Sequence, residues 1–275
     1  MPERKEQYHQ KESAPIVDEN GLFPEEQALI MSMSQQAKSR IRGLIVESLS
    51  KKKGEIIGFR TDDIFSLCRF AEKGVIPTRN LLTAGSMAKD INGLYLTPNP
   101  DSSELKRALG ERLAPFAINW QKAVKDNLNI YGNMAARQAV ARHIVDKING
   151  DSTVLRAYKG IGNEALQRQY LINDLLGYSE NANTDTAIRG VANYLGWRVG
   201  DVKKIINAAQ QRGGIFIGVN TNALFSADIH QPSAADQFSE EIILVNEQNE
   251  IPFSCIAGIE PLGDIEEHVV ELLDK

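Results

Sequence analysis

Cysteine, histidine and long apolar runs are all scarce in this chain. Its two cysteines, Cys68 and Cys255, stand in separate apolar stretches with no second ligand nearby. That excludes a disulfide framework or a zinc ribbon and reads as two buried thiols of a reducing compartment. The four histidines, His9, His143, His230 and His268, show no metal-ligand spacing. No apolar run approaches the ~18–20 residues of a membrane span, and the polar start MPERKEQYHQKESAPIVDENG has no apolar core of a signal peptide. Neither a Gly-x-x-x-x-Gly-Lys-Ser/Thr phosphate loop nor a Gly-x-Ser-x-Gly elbow occurs. A net charge of −5 argues only mildly against a dedicated nucleic-acid binder and leaves room for a local basic patch. What is present is ordinary globular composition, 42% hydrophobic and 24% charged over 275 residues, enough for one large domain or two small ones. The expectation is a soluble, cytoplasmic, metal-free protein that does not enter a membrane.

Along the chain, residues 1–23 read as a flexible tail rich in charge and amide. Pro24 opens a helix expected over 25–50, whose apolar positions Leu29, Ile30, Met33, Ala37, Ile41, Leu44, Ile45 and Leu49 step by three and four. Lys51-Lys52-Lys53-Gly54 closes that segment, 24–53. A short strand over 55–60 leads to a helix over 64–73, capped by Thr61 or Asp62 and ended by Gly74. Leu94–Thr97 is a strand closed by Pro98. From 102 to 211 the pattern is helical, with helices expected near 102–114, 116–128, 133–148, 163–176, 184–195 and 199–211. Ile215–Val219 is an apolar strand, and 221–238 a long polar loop of the kind that carries function. Glu241–Val245 and Phe253–Ile259 read as strands paired around the turn 246–250. An acidic helix occupies the last segment, 264–275. The fold expected is α+β: a core from 54–101 and 212–263 with a helical subdomain, 102–211, inserted.

Three short segments carry candidate chemistry. In Gly58-Phe59-Arg60-Thr61-Asp62-Asp63, Arg60 can offer a bidentate fork to a diphosphate, or pair with Asp62 or Asp63. In Gly93-Leu94-Tyr95-Leu96-Thr97, glycine allows close approach of a ligand and Tyr95 can stack on a flat ring, or simply pack in a hairpin. In Ser239-Glu240-Glu241-Ile242-Ile243-Leu244-Val245, side chains alternate, so only one of Glu240 and Glu241 faces a given pocket. A carboxylate there can stabilise an oxocarbenium-like transition state, or be solvated at a strand start.

Taken in order, these segments resemble the ADP-ribosyltransferase superfamily, in which a first strand carries Arg, a second Ser or Thr, and a late strand begins with the catalytic Glu. "IFSLCRFAEKGVIP" and "AAQQRGGIFIGV" are similar to that family's connecting elements. The resemblance implies a split mixed sheet and NAD as substrate. It implies Arg60 on the NAD phosphates or ribose, Tyr95 near the nicotinamide, Thr97 at the family's Ser/Thr position, and Gly93 among the NAD-binding residues. Glu241 is then the catalytic acid, and Asp236, Gln237, Ser239 and Glu240 belong to the acceptor-recognition loop. The implied activity is mono-ADP-ribosyl transfer to a macromolecule, a protein or a nucleic acid, by a toxin or effector. Ser239 stands two residues before Glu241, where members that modify arginine carry Glu or Gln. This leaves both the acceptor and the choice between transferase and NAD glycohydrolase open.

A second resemblance covers 184–219 (TDTAIRGVANYLGWRVGDVKKIINAAQQRGGIFIGV), which is similar to a winged helix-turn-helix. It implies a non-catalytic, mostly helical protein that binds DNA or a protein partner through a helix bearing Lys203, Lys204 and Arg212; the same residues also read as a plain packed helical pair.

Overall fold

The computed structural model describes residues 14, 17–45, 49, 55–80, 92–99, 101–109, 134, 136–179, 183–230 and 242–274. In chain order these form α1 (Pro24–Ser32), α2 (Gln35–Ile45), β1 (Ile56–Asp62), α3 (Ile64–Lys73), β2 (Val75–Pro77), β3 (Arg79–Asn80), β4 (Asn92–Pro98) and α4 (Ser103–Leu109). Then come α5 (136–145), α6 (Thr153–Arg156), α7 (Glu164–Leu176), α8 (Thr184–Leu195) and α9 (Val199–Gln210). The chain continues as β5 (Ile215–Asn220), α10 (Ala223–Ser226), β6 (Asp228–His230), β7 (Ile242–Val245), β8 (Glu250–Pro252), β9 (Ile256–Pro261) and α11 (Asp264–Asp274). The protein is α+β. It divides into two compact units: Arg137–Gln211 with the described residues before Glu25, and Glu25–Ala136 with Arg212–Lys275.

The second unit is built on a sheet of order β6-β7-β4-β1-β5-β9, with β3 on β4, and a separate β2-β8 pair. Every strand pairing among the described residues is antiparallel, so the mixed sheet implied by the resemblance is an antiparallel one. β7 and β9 are not partners, contrary to the hairpin read around 246–250. The chain after that turn pairs first with β2 through β8, which carries β9 to the far side of β5. The polar connection after β5 is not all loop either, since it holds α10 and the edge strand β6.

The helix expected over 25–50 is two helices, broken at Met33-Ser34. The Ser34 hydroxyl accepts the Ala37 N–H at 3.2 Å and caps α2, while Ser34 donates its own N–H and hydroxyl to Glu72 of α3. α3 is capped by Asp63, not Thr61 or Asp62: its carboxylate accepts the Ser66 N–H at 3.0 Å, and Gly74 ends the helix at φ 75°. Arg42 of α2 donates from Nε and Nη2 to the Leu273 carbonyl, satisfying an orphan acceptor at the end of α11.

The first unit is a helical cluster around Val140, Ile144, Leu171, Leu175, Ile188, Val191, Trp197, Val202 and Ile205. Phe23 joins that core with its ring 5.2 Å from His143, so the segment expected as a free tail is anchored at its end. Asn163 and Asn183 cap α7 and α8, and Gly177 and Gly196 end them in the left-handed region. Among the described residues no helix is long and apolar enough to cross a membrane.

Candidate functional site

The sheet forks at its centre. β1 and β4 pair through only Gly58–Pro98 and Phe59–Thr97, whereas β1 follows β5 from Ile56 to Asp62 and β4 follows β7 from Leu94 to Leu96. Past the junction, Arg60–Asp62 of β1 and the start of β4 are not partners. Two halves, β9-β5-β1 and β4-β7-β6, therefore meet over two residue pairs.

Local chemistry accounts for the junction. A Cβ on Gly58 would lie 2.9 Å from the Thr97 carbonyl and 3.0 Å from the Leu96 Cβ, so only glycine allows the strands this close. Asn99, 1% exposed, donates its N–H to the Ile57 carbonyl at 2.8 Å and its amide to the Ile56 carbonyl at 2.7 Å. Those two bonds stitch the end of β4 to the start of β1. In the sequence Asn99 stands between two prolines, with no local signal of this role.

Strand alternation sorts the sequence-predicted residues. Thr97 faces the same side as its partner Phe59, and Tyr95 lies two residues along on that side. Tyr95 is buried and Thr97 half-buried. Phe59 stacks on Phe216 of β5, ring centroids 5.1 Å apart, and walls that side. Arg60 projects from the opposite face and pairs with Asp62 at 2.5 Å, its side chain 24% exposed. Asp62 was one of the two partners that the sequence offered for it. Arg60 Nε is buried and has no hydrogen-bond partner among the described residues. Gly93 is occupied by packing: a Cβ there would lie 2.2 Å from Ile243 Cγ2 and 3.0 Å from the Leu244 carbonyl. Its missing side chain seats β7 against β4, and the close approach it permits is that of a strand. Ile242, the first residue of β7, pairs with Leu96, next to Thr97. Asp236, Gln237, Ser239, Glu240 and Glu241 lie outside the described residues.

A second charged cluster, which sequence reasoning missed, sits at the ends of β1, β5 and β9. Arg212, 1% exposed, pairs with Glu26 at 2.6 Å and lies 5.0 Å from the centroid of the Phe65 ring. Glu266 is fully buried and accepts the Gly213 N–H at 3.0 Å. Burial pushes its carboxyl up, opposed by the Gly213 and Gly214 amides and by Arg212. Burial likewise pushes Asp63 up; the Ser66 N–H and Arg212 pull it back, and the Asp62 charge adds to the rise. The only signal in the sequence is an arginine directly before Gly213-Gly214. The winged helix-turn-helix reading assigned Arg212 to a DNA-contacting helix. It is instead enclosed in the sheet unit, and β5, the supposed wing, is an inner strand of the sheet.

Chemically, the fork offers a hydroxyl and an aromatic ring on β4 beside the start of β7, and a guanidinium at the unpaired edge of β1. A scan against models of known protein families finds no match, and searches of curated proteins and of solved structures likewise find no relative and no structural neighbour.

Proposed function

We propose that the chain is an NAD-consuming mono-ADP-ribosyltransferase of the toxin or effector kind, with its site at the fork of the sheet. One observation carries this reading. The described residues of the three segments singled out for their chemistry, far apart in sequence, lie on adjacent strands in the order β7-β4-β1, and the sheet divides between the last two. Thr97 and Tyr95 then line the nicotinamide end, the hydroxyl as a hydrogen-bonding group and the ring as a flat wall. Glu241, immediately before β7, supplies the carboxylate that stabilises positive charge on the ribose as its bond to nicotinamide breaks. Nicotinamide leaves with the bonding pair, an acceptor nucleophile bonds to the ribose carbon, and the nucleophile's proton is released. Arg60 lies on the other face, so in this reading it reaches the diphosphate around the unpaired edge of β1, giving up Asp62 to do so. A protein side chain is the acceptor proposed; if water takes its place, the enzyme is a glycohydrolase.

The test incubates the purified chain with NAD labelled in the adenylate half, with and without cell lysate, beside Glu241→Gln. Expected is nicotinamide release, with label transferred to protein, falling about 10²–10³-fold in the variant. If the chain neither binds nor consumes NAD with any acceptor, the reading is wrong.

A further inference from the structure

The helical unit holds a motif that this chemistry does not use. α8 and α9 are joined by three residues, Gly196, Trp197 and Arg198, with Gly196 at φ 69°. That is the short glycine-containing turn of a helix-turn-helix. The turn is fixed from below, because Trp197 is buried in the helical core and its backbone N–H donates to the Ala192 carbonyl at 2.9 Å. α8 packs on both α7 and α9, so the pair is braced.

α9 has two distinct faces. Val202, Ile205, Ile206, Ala208 and Ala209 are buried. Gly200, Lys203, Lys204, Asn207 and Gln210 are exposed, one stripe stepping by three and four, with exposed Arg198 at its head. Nothing lies within 4 Å of where a Gly200 Cβ would be, so bare backbone is presented there. The stripe combines cations for phosphates with amides for base edges. Two acids temper it: Asp185 holds Lys203 at 2.8 Å, and Asp201 sits half-buried in the first turn of α9.

Charge separates this unit from the rest of the chain. Residues 137–211 carry ten Lys and Arg against seven Asp and Glu, a net of +3; residues 1–24, of the same unit, add −2, so the unit stands at +1 and the remainder of a chain of net −5 at −6. The overall acidity that argued against nucleic acid belongs to the rest of the chain.

We infer that α8 and α9 form a wingless helix-turn-helix whose α9 enters the major groove of duplex DNA. Arg198 and Lys204 meet phosphates, and Asn207 meets a base edge, an adenine by preference. This is independent of the NAD chemistry proposed above.

The test is fluorescence anisotropy of the full chain on a pool of labelled duplexes of about 20 bp and on the matching single strands, at about 50 mM salt and upward. Expected is duplex binding that weakens tenfold or more in Arg198→Glu with Lys204→Glu, its log–log salt slope shallower by about 2. Arg69→Glu with Lys73→Glu makes the same charge change at exposed positions of α3 and leaves binding within about twofold of the unaltered chain. Asn207→Ala keeps affinity for the pool and flattens the preference among sequences. Glu241→Gln leaves DNA binding unchanged, which separates this inference from the catalytic one. Absence of duplex binding at the lowest salt, equal losses in both charge-reversal pairs, or tighter binding to single strands overturns it. Unchanged far-ultraviolet circular dichroism certifies each variant as folded.

Discussion

Replacing Arg212 with methionine isolates what one enclosed charge contributes to the sheet unit. Methionine keeps an aliphatic stem against Phe65 but removes the cation that pairs with Glu26 and opposes the rise of Asp63 and Glu266. Breaking a buried pair by removing one partner costs about 3–5 kcal/mol. The Glu26 side chain keeps 16% exposure, so water relieves part of that charge and the lower end applies, about 3 kcal/mol. The pH dependence has a definite sign. Asp63 and Glu266 have folded-state pKa values above their ordinary 3.8 and 4.5. The stability they contribute is therefore full below those values and is lost as pH rises through the folded ones. Arg212 limits that loss. Without it the decline runs further, so the variant's deficit is smaller near pH 4 than near pH 8. Native-state hydrogen exchange reads the two units separately. Amides of β1, β5 and β9 should lose about 3 kcal/mol of protection at neutral pH, while those of α7, α8 and α9, which share no core with Arg212, stay as they were. Unchanged sheet protection, or a deficit that grows toward acid, would refute the argument.

Two further substitutions probe the fork. Gly93→Ala drives a methyl to within 2.2 Å of Ile243 and 3.0 Å of the Leu244 backbone, so β7 must move off β4. A cost of about 2 kcal/mol, or roughly 4–8 °C in the melting temperature of the sheet unit, is expected by scanning calorimetry, and NAD cleavage should fall with it. Arg60→Ala gives the opposite profile. Its pair with Asp62 is partly solvated, so the chain should lose no more than about 1 kcal/mol in urea unfolding. NAD affinity by calorimetric titration should drop at least about tenfold if the guanidinium binds the diphosphate. Equal affinity in Arg60→Ala would leave Arg60 as a structural partner of Asp62 alone.

The sequence by itself determined the elements whose causes are local. The helices α3, α7, α8 and α9 fall close to where periodicity put them, because Asn163 and Asn183 cap two of them and Gly74, Gly177 and Gly196 end three in the left-handed region. The strands β1, β4, β5 and β7 are short apolar runs between polar turns, legible for the same reason. Composition along the chain also hinted at a helical block set between two groups of strands.

Tertiary structure alone decided everything that depends on partners distant in sequence. Alternation along β1 and β4 was visible, but only their register puts Thr97 beside Phe59 and turns Arg60 to the other face. A shift of one residue would have reversed that, and no local preference forbids it. Gly93 looked like a place for a ligand until β7 filled the space. Arg212 reads in the sequence as one of three cations on the binding helix of a helix-turn-helix. It is enclosed because Glu26, Phe65 and Glu266, from three different parts of the chain, close around it. Periodicity and capping are properties of neighbouring residues; register and the enclosure of charge are properties of the folded chain.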